Sequence, residues 1–182
     1  MATKRNPRKG SLQFWPRKRA ARIYPRIRNQ IVPSESRLSG FAGYKAGMTH
    51  LLIVDNRPNA MTKGEVISIP VTIIECPPIR VLSIRLYSDS VNGLKLYREI
   101  VGEVDAKVVK NLERKLVLPK QQKPVDSVSV DLANVADVRV NVGTQPWLTG
   151  IGKRKPEVFE IVVGGKSVDE RFALAKQLLG KE

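Results

Sequence analysis

Three prolines spaced nine residues apart, each followed by an arginine, carry the most specific chemistry in this chain: Asn6-Pro7-Arg8, Trp15-Pro16-Arg17 and Tyr24-Pro25-Arg26. A guanidinium offers a planar fork of N–H donors that matches two phosphate oxygens, and a lysine adds a point charge. Arg8, Lys9, Arg17, Lys18, Arg19, Arg22, Arg26 and Arg28 are strung along this segment, with Trp15 and Tyr24 as flat rings on which a base can stack. Each proline fixes its own φ, lacks an N–H and pushes the residue before it out of the α region. The segment therefore forms no helix and buries no core. Lying extended along a polyanion, above all RNA, is the chemistry it suits.

Two further basic sites stand outside that segment. Lys45 lies in the glycine-punctuated run Gly40-Phe41-Ala42-Gly43-Tyr44-Lys45-Ala46-Gly47-Met48. Gly40, Gly43 and Gly47 either let the backbone approach RNA or a neighbouring strand closely, with Lys45 at a phosphate, or relieve φ strain at a bulge. Lys153, Arg154 and Lys155 are consecutive in a loop from Trp147 to Pro156. The bland alternative there is a solvated basic turn, and the chain's charge favours RNA contact. For Trp147 a place in the core is an equal reading.

Other chemistry is poorly supported. Gly164-Gly165-Lys166-Ser167 follows a strand and precedes a helix, as a phosphate-binding loop would. The template needs a glycine five positions before the second one, and Glu160 stands there. Gly150-Ile151-Gly152-Lys153 fails likewise, with Trp147 at the first glycine position. Gly40-Phe41-Ala42-Gly43 matches a short RNA-binding GxxG, but that loop joins two helices and here a strand follows. The one histidine, His50, and the one cysteine, Cys76, are too few for a four-ligand zinc site. As a nucleophile pair they lack an orienting third residue, and Cys76, against Pro77-Pro78, suits the part of a small buried hydrophobe. Asp169 and Glu170 are explained by a helix N-terminus. No catalytic residue, metal site or cofactor is expected.

The elements that must position these residues follow from composition and pattern. The 182 residues carry 32 Lys and Arg against 17 Asp and Glu, a net charge of +15. Eleven of those cations and one acid, Glu35, fall in the first 37 residues, so two thirds of the excess sits in one fifth of the chain. A pI near 10.2 points first to nucleic acid and second to an acidic membrane surface. No apolar run reaches the ~18 residues of a membrane span. A single cysteine implies no intramolecular disulfide, and the prolines break the amphipathic helix a transit peptide needs. Residues 1–37 read as an extended tail and 38–182 as the domain.

Within that domain, period-two alternation predicts strands at Thr49–Val54, Val66–Glu75, Ile79–Tyr87, Leu94–Val101, Val128–Val130, Ala136–Val142 and Val158–Val163. Asp55–Gly64 reads as an exposed loop, and Asn92-Gly93 as a hairpin turn. Pro70 places Val66–Glu75 at an edge or a bulge. Helical period predicts Asp105–Leu116, with Asp105 as N-cap and Val109, Leu112 and Leu116 on one stripe, and Val168–Leu179. Ser167 caps the second helix, Glu170 reaches back to it, and Gly180 takes the C′ position. The hairpin-like order predicts a mainly β, α+β fold: an antiparallel sheet or barrel with helices on one side. The sequence stops two residues after Gly180, with Phe159, Ile161, Val163, Phe172, Ala175 and Leu179 expected to need cover.

Three runs give the chain a family likeness: Gly10-Ser11-Leu12-Gln13-Phe14-Trp15-Pro16-Arg17-Lys18-Arg19-Ala20, the Gly40–His50 run, and Val71-Thr72-Ile73-Ile74-Glu75-Cys76-Pro77-Pro78. With these, and with Thr144-Gln145-Pro146-Trp147 through the Ser167–Leu179 helix, the chain resembles the archaeal and eukaryotic type of large-subunit ribosomal protein L-three, over essentially its whole length. The resemblance implies a partial small β-barrel of the translation-protein type with two helices and a long basic tail. It implies a structural, cytoplasmic constituent of the large subunit that binds the large rRNA near its 3′ end and acts early in assembly. Implied partners are that rRNA, neighbouring ribosomal proteins, and the family's C-terminal half, as a second chain or a continuation. That half carries further barrel strands, a Gly-Lys-Gly-rich segment and the loop near the peptidyl transferase centre. The alternative is a free-standing basic nucleic-acid-binding protein.

Overall fold

Alternation builds the centre of the fold: Val138, Val140 and Val142 are fully buried, while Arg139 and Asn141 between them stay half-exposed. The computed structural model describes residues 7, 9–11, 13, 15–25, 27, 31–102, 106–118 and 130–182. The chain divides into two units, Met1–Gln30 and Ile31–Glu182. Among the described residues of the first unit there is no α-helix or β-strand.

The second unit runs β1 (Tyr44–Val54), β2 (Val66–Glu75), β3 (Arg80–Ser88), β4 (Lys95–Val101), α1 (Ala106–Leu112), β5 (Asp137–Gly143), β6 (Val158–Val162) and α2 (Val168–Leu178). Strands β1 and β2 form a two-stranded hairpin, and the other four make a sheet in the order β4-β3-β5-β6. Every pairing is antiparallel. The α+β class is therefore as predicted, and the described residues form two open sheets, not a closed barrel.

The core lies between one face of the four-stranded sheet and α2. Ile84 and Leu86 of β3, the β5 valines, Ile161 and Val163, and Phe172 and Ala175 of α2 are all buried in one cluster. At about 1.5–3 kcal/mol for each fully buried aliphatic or aromatic side chain, this cluster dominates the stability of the unit. Ser167 caps α2 by accepting from the Glu170 N–H at 3.2 Å. Glu170 reaches back as a capping box requires, but to the Lys166 N–H at 2.8 Å, one residue earlier than expected. Gly180 has φ of +75° and donates its N–H to the Val81 carbonyl at 3.0 Å. That bond ties the end of α2 to the start of β3.

Several expectations are corrected. β1 begins at Tyr44, not Thr49, because the glycine run pairs with Ile73, Ile74 and Glu75 across a bulge between Lys45 and Gly47. Helix α1 ends at Leu112, and its buried residues are Val108 and Leu112, whereas Leu116 is exposed. Asp105, Val128 and Ser129 lie outside the described residues, and Val130 packs on the core without joining a strand. Cys76 is exposed, not buried. The faces of β6 and α2 expected to need cover already have it, since Ile161, Val163, Phe172 and Ala175 are buried and Phe159 and Leu179 pack against them. Uncovered apolar surface lies instead on the β1–β2 hairpin, where Leu52 is 75% exposed and Ile74 58%.

Candidate nucleic-acid interface

In the first unit Lys9, Arg17, Lys18, Arg19 and Arg22 are all exposed. Proline spacing leaves them no helix face to turn inward. Trp15 is 60% exposed, and the Arg22 guanidinium lies 5.6 Å from the centroid of the Tyr24 ring. An arginine stacked on a ring makes a flat, cationic surface of the kind that receives a base against a phosphate. Arg8, Arg26 and Arg28 lie outside the described residues.

Lys45 is exposed on β1 opposite Ile74, beside the bulge. Gly47 does not have positive φ, so it relieves no φ strain there. Gly43 answers to a close approach instead: a Cβ on it would lie 2.4 Å from the Ile74 Cγ2 and 3.0 Å from the Glu75 carbonyl oxygen. The glycine thus lets two strands meet.

The basic loop is anchored at both ends. Trp147 is half-buried against Leu82, Val108 and Leu112, which gives it a core role. Thr144, itself buried, donates its N–H to the Glu157 carbonyl at 2.9 Å and accepts the Glu157 N–H on its hydroxyl at 2.9 Å. Lys153 pairs with the Glu157 carboxylate, while Arg154 and Lys155 are exposed. The Lys115 Nζ lies 3.9 Å from the other Glu157 oxygen. Three cations on and beside α1, Lys110, Arg114 and Lys115, are exposed and were no part of the interface expected from sequence. Their density in Lys110-Asn111-Leu112-Glu113-Arg114-Lys115 was visible, but nothing local ties them to a loop some forty residues away.

The solvent face of the four-stranded sheet carries balanced charge. Arg85 pairs with Glu160 and has its Nε 3.2 Å from Glu99, and the Tyr87 hydroxyl donates to Glu160 at 2.6 Å. Burial opposes the charge on Arg85, but hydrogen bonds to Glu160 and Glu99 outweigh it and hold its pKa above the ordinary value. Burial and the Glu160 bond push the Tyr87 hydroxyl up to about 12. Burial works against ionised Glu160, yet hydrogen bonds from Tyr87 and Arg85 keep its carboxyl below the usual range. Charges so matched suit a solvated sheet face better than a polyanion site.

Nucleotide binding at Gly164–Ser167 fails on geometry. The Gly164 N–H donates to the Arg37 carbonyl at 2.7 Å and the Gly165 N–H to the Pro33 carbonyl at 3.0 Å, so neither is available to a phosphate. His50 faces Pro70 across the hairpin while Cys76 lies beyond the Tyr44–Glu75 pair. Six strand residues separate them, about 20 Å, too far for a nucleophile and its base. Among the described residues no group of three or more His, Cys, Asp or Glu could hold a metal, and no helix is long and apolar enough to cross a membrane.

Comparison with known proteins draws these features together. The family model for ribosomal protein L3 matches residues 1–182. A large ribosomal subunit protein uL3 from Methanothermobacter thermautotrophicus is 46% identical over 187 residues, covering 100% of this chain and 54% of its own. Those of Methanopyrus kandleri and Methanococcus maripaludis are 43% and 44% identical, covering 97% and 98% of this chain and 49% and 53% of theirs. The chain spans about half the length of the curated relatives it matches.

Proposed function

We propose, from the premise that this chain belongs to the ribosomal protein L3 family, that it is a structural, non-enzymatic component of the large ribosomal subunit. It binds the large rRNA near its 3′ end and supports early subunit assembly in the cytoplasm. The single observation that carries the rRNA-binding reading is the charge distribution: eleven cations against one acid in residues 1–37 of a chain matched throughout by the family. Residues 1–37 act as the RNA-threading tail and 38–182 as the domain.

Arg8, Lys9, Arg17, Lys18, Arg19, Arg22, Arg26 and Arg28 contact phosphates, Trp15 stacks on a base, and Lys45, Lys153, Arg154 and Lys155 add contacts from the domain. The exposed apolar residues of the β1–β2 hairpin support a protein partner as well, because solvated β-faces do not ordinarily show so many large hydrophobes together. The C-terminal half of a family member, as a second chain or a continuation, covers that hairpin, and neighbouring ribosomal proteins complete the surroundings.

Cofractionation tests the assignment. The tagged chain in its source cell is expected to sediment with large subunits and to remain there after a high-salt wash. A chain found at the top of the gradient, bound to nucleic acid of any kind, would instead identify a free-standing binding protein.

A further inference from the structure

Glu157 is an unusually well-held carboxylate in a chain so rich in cations. Its backbone is clamped through both N–H and carbonyl to Thr144, which is 3% exposed and whose hydroxyl also meets the Tyr44 hydroxyl at 2.8 Å. Its side chain is only 14% exposed and binds two lysines from different parts of the chain: Lys153 four residues before it, and Lys115 just past α1. The turn that delivers Lys115 is fixed too, because the Leu112 carbonyl accepts both the Lys115 and Leu116 N–H groups at 2.8 Å. Below that turn Val108, Leu112 and Leu82 form a second buried cluster, on which Trp147 and Val158 from either side of the basic loop are packed. Helix α1 and the loop therefore meet at one locus, joined by that cluster and by the Glu157 carboxylate.

We infer that Lys110, Arg114 and Lys115 join Lys153, Arg154 and Lys155 in a single contact site for the phosphate backbone of folded RNA, with Glu157 as the post that holds its two halves in register. The inference rests on the rRNA-binding reading above and gives it a second site, independent of the tail. One carboxylate shared by two lysines leaves the cluster strongly cationic, and positively charged loci of this kind bind through phosphate rather than base. Its one aromatic ring, Trp147, is half-buried against that second cluster, so the cations make up most of what the site presents to solvent. The site should therefore be indifferent to sequence and sensitive to salt.

The test uses the full chain carrying Lys110→Gln, Arg114→Gln and Lys115→Gln, with the large rRNA as ligand and affinity followed over a salt series. Three lost phosphate contacts lower the log–log slope by about two to three units while the melting temperature is kept. Should the triple variant melt early, the single Lys115→Gln variant decides, with an expected fall of about one unit. An unchanged slope in a folded variant overturns the site but leaves the rRNA-binding reading intact. Wild-type chain showing no salt-dependent binding would defeat that reading itself. Loss of binding to phosphatidylserine vesicles with RNA binding unchanged would make this a membrane patch and overturn the inference.

Discussion

The Gly164 N–H donates to the Arg37 carbonyl at 2.7 Å, so that a glycine resembling part of a nucleotide-binding loop in fact seats the stretch around Arg37, at the end of the basic tail. The same stretch donates the Ser39 N–H to Val162 at 3.0 Å and bridges Leu38 to Val163. It runs beside β6, the last strand of the sheet, where unpaired backbone groups would otherwise invite another chain.

Gly164→Ala tests that seat. The added Cβ would sit 2.4 Å from the Glu35 carbonyl oxygen, 2.6 Å from the Pro33 Cγ and 2.9 Å from the Arg37 carbonyl oxygen. Two of these are backbone atoms, so the stretch must move. Overpacking of this kind costs about 1–3 kcal/mol, which in a domain of this size lowers the melting temperature by roughly 2–4 °C per kcal/mol. Amide exchange at Gly164 and Gly165 should rise with it. A variant with wild-type melting and exchange would show that the stretch contributes nothing to the fold.

Replacing apolar residues on the hairpin should separate solubility from stability. Leu52 and Ile74 are 75% and 58% exposed, so Leu52→Ser with Ile74→Ser removes little buried surface. The melting temperature should stay within a few degrees, while hydrophobic-dye binding and self-association of the isolated chain fall. Ile84→Ala in the core is the contrast: this fully buried residue should cost about 2–5 kcal/mol in chemical denaturation. Equal losses from the two variants would mean that the hairpin packs as a core element.

Two groups set pH windows with opposite signs. Hydrogen bonds from Arg57 and Thr62 hold the Asp55 carboxyl well below the usual carboxylate range. A depressed native pKa contributes stability that is fully present above the unfolded value, about 3.9, and is lost only as pH falls through the native one. The hairpin tip should thus keep its amide protection in mild acid, and Asp55→Asn should loosen it at neutral pH. Tyr87 is the reverse case. Its pKa of about 12 exceeds the unfolded value near 10, so its contribution is complete below about pH 10 and disappears between there and 12. Tyrosinate absorbance should show a late-titrating component from Tyr87, absent in Tyr87→Phe. Uniform titration near pH 10 would refute the Glu160 bond.

Much of this was legible in the chain because the signals are local. The bounds of β2, the buried faces of Val138, Val140 and Val142, and the Ser167 cap follow from period two and from short hydrogen-bonding side chains. Glycines misled at β1, since a run that punctuates a loop equally well permits the tight approach Gly43 makes to β2. Helix α1 fell short because its stripe is set by the Leu82 cluster, which admits Val108 and Leu112 and leaves Leu116 outside. The exposure of Lys9, Arg17, Lys18, Arg19 and Arg22 followed from proline spacing and charge alone. The Gly164 seat and the shared Glu157 carboxylate could not be read at all, as each joins residues far apart in sequence and exists only once the sheet has formed.

The most direct test is salt-titrated binding of the large rRNA by the intact chain and by a chain lacking residues 1–30, which keeps the stretch seated on Gly164. Deletion removes eight proposed phosphate contacts, and the log–log slope should fall by about 6–7 units while the domain still melts cooperatively. An unchanged slope in a folded deletion variant would contradict the claim that this tail is what holds the chain to RNA.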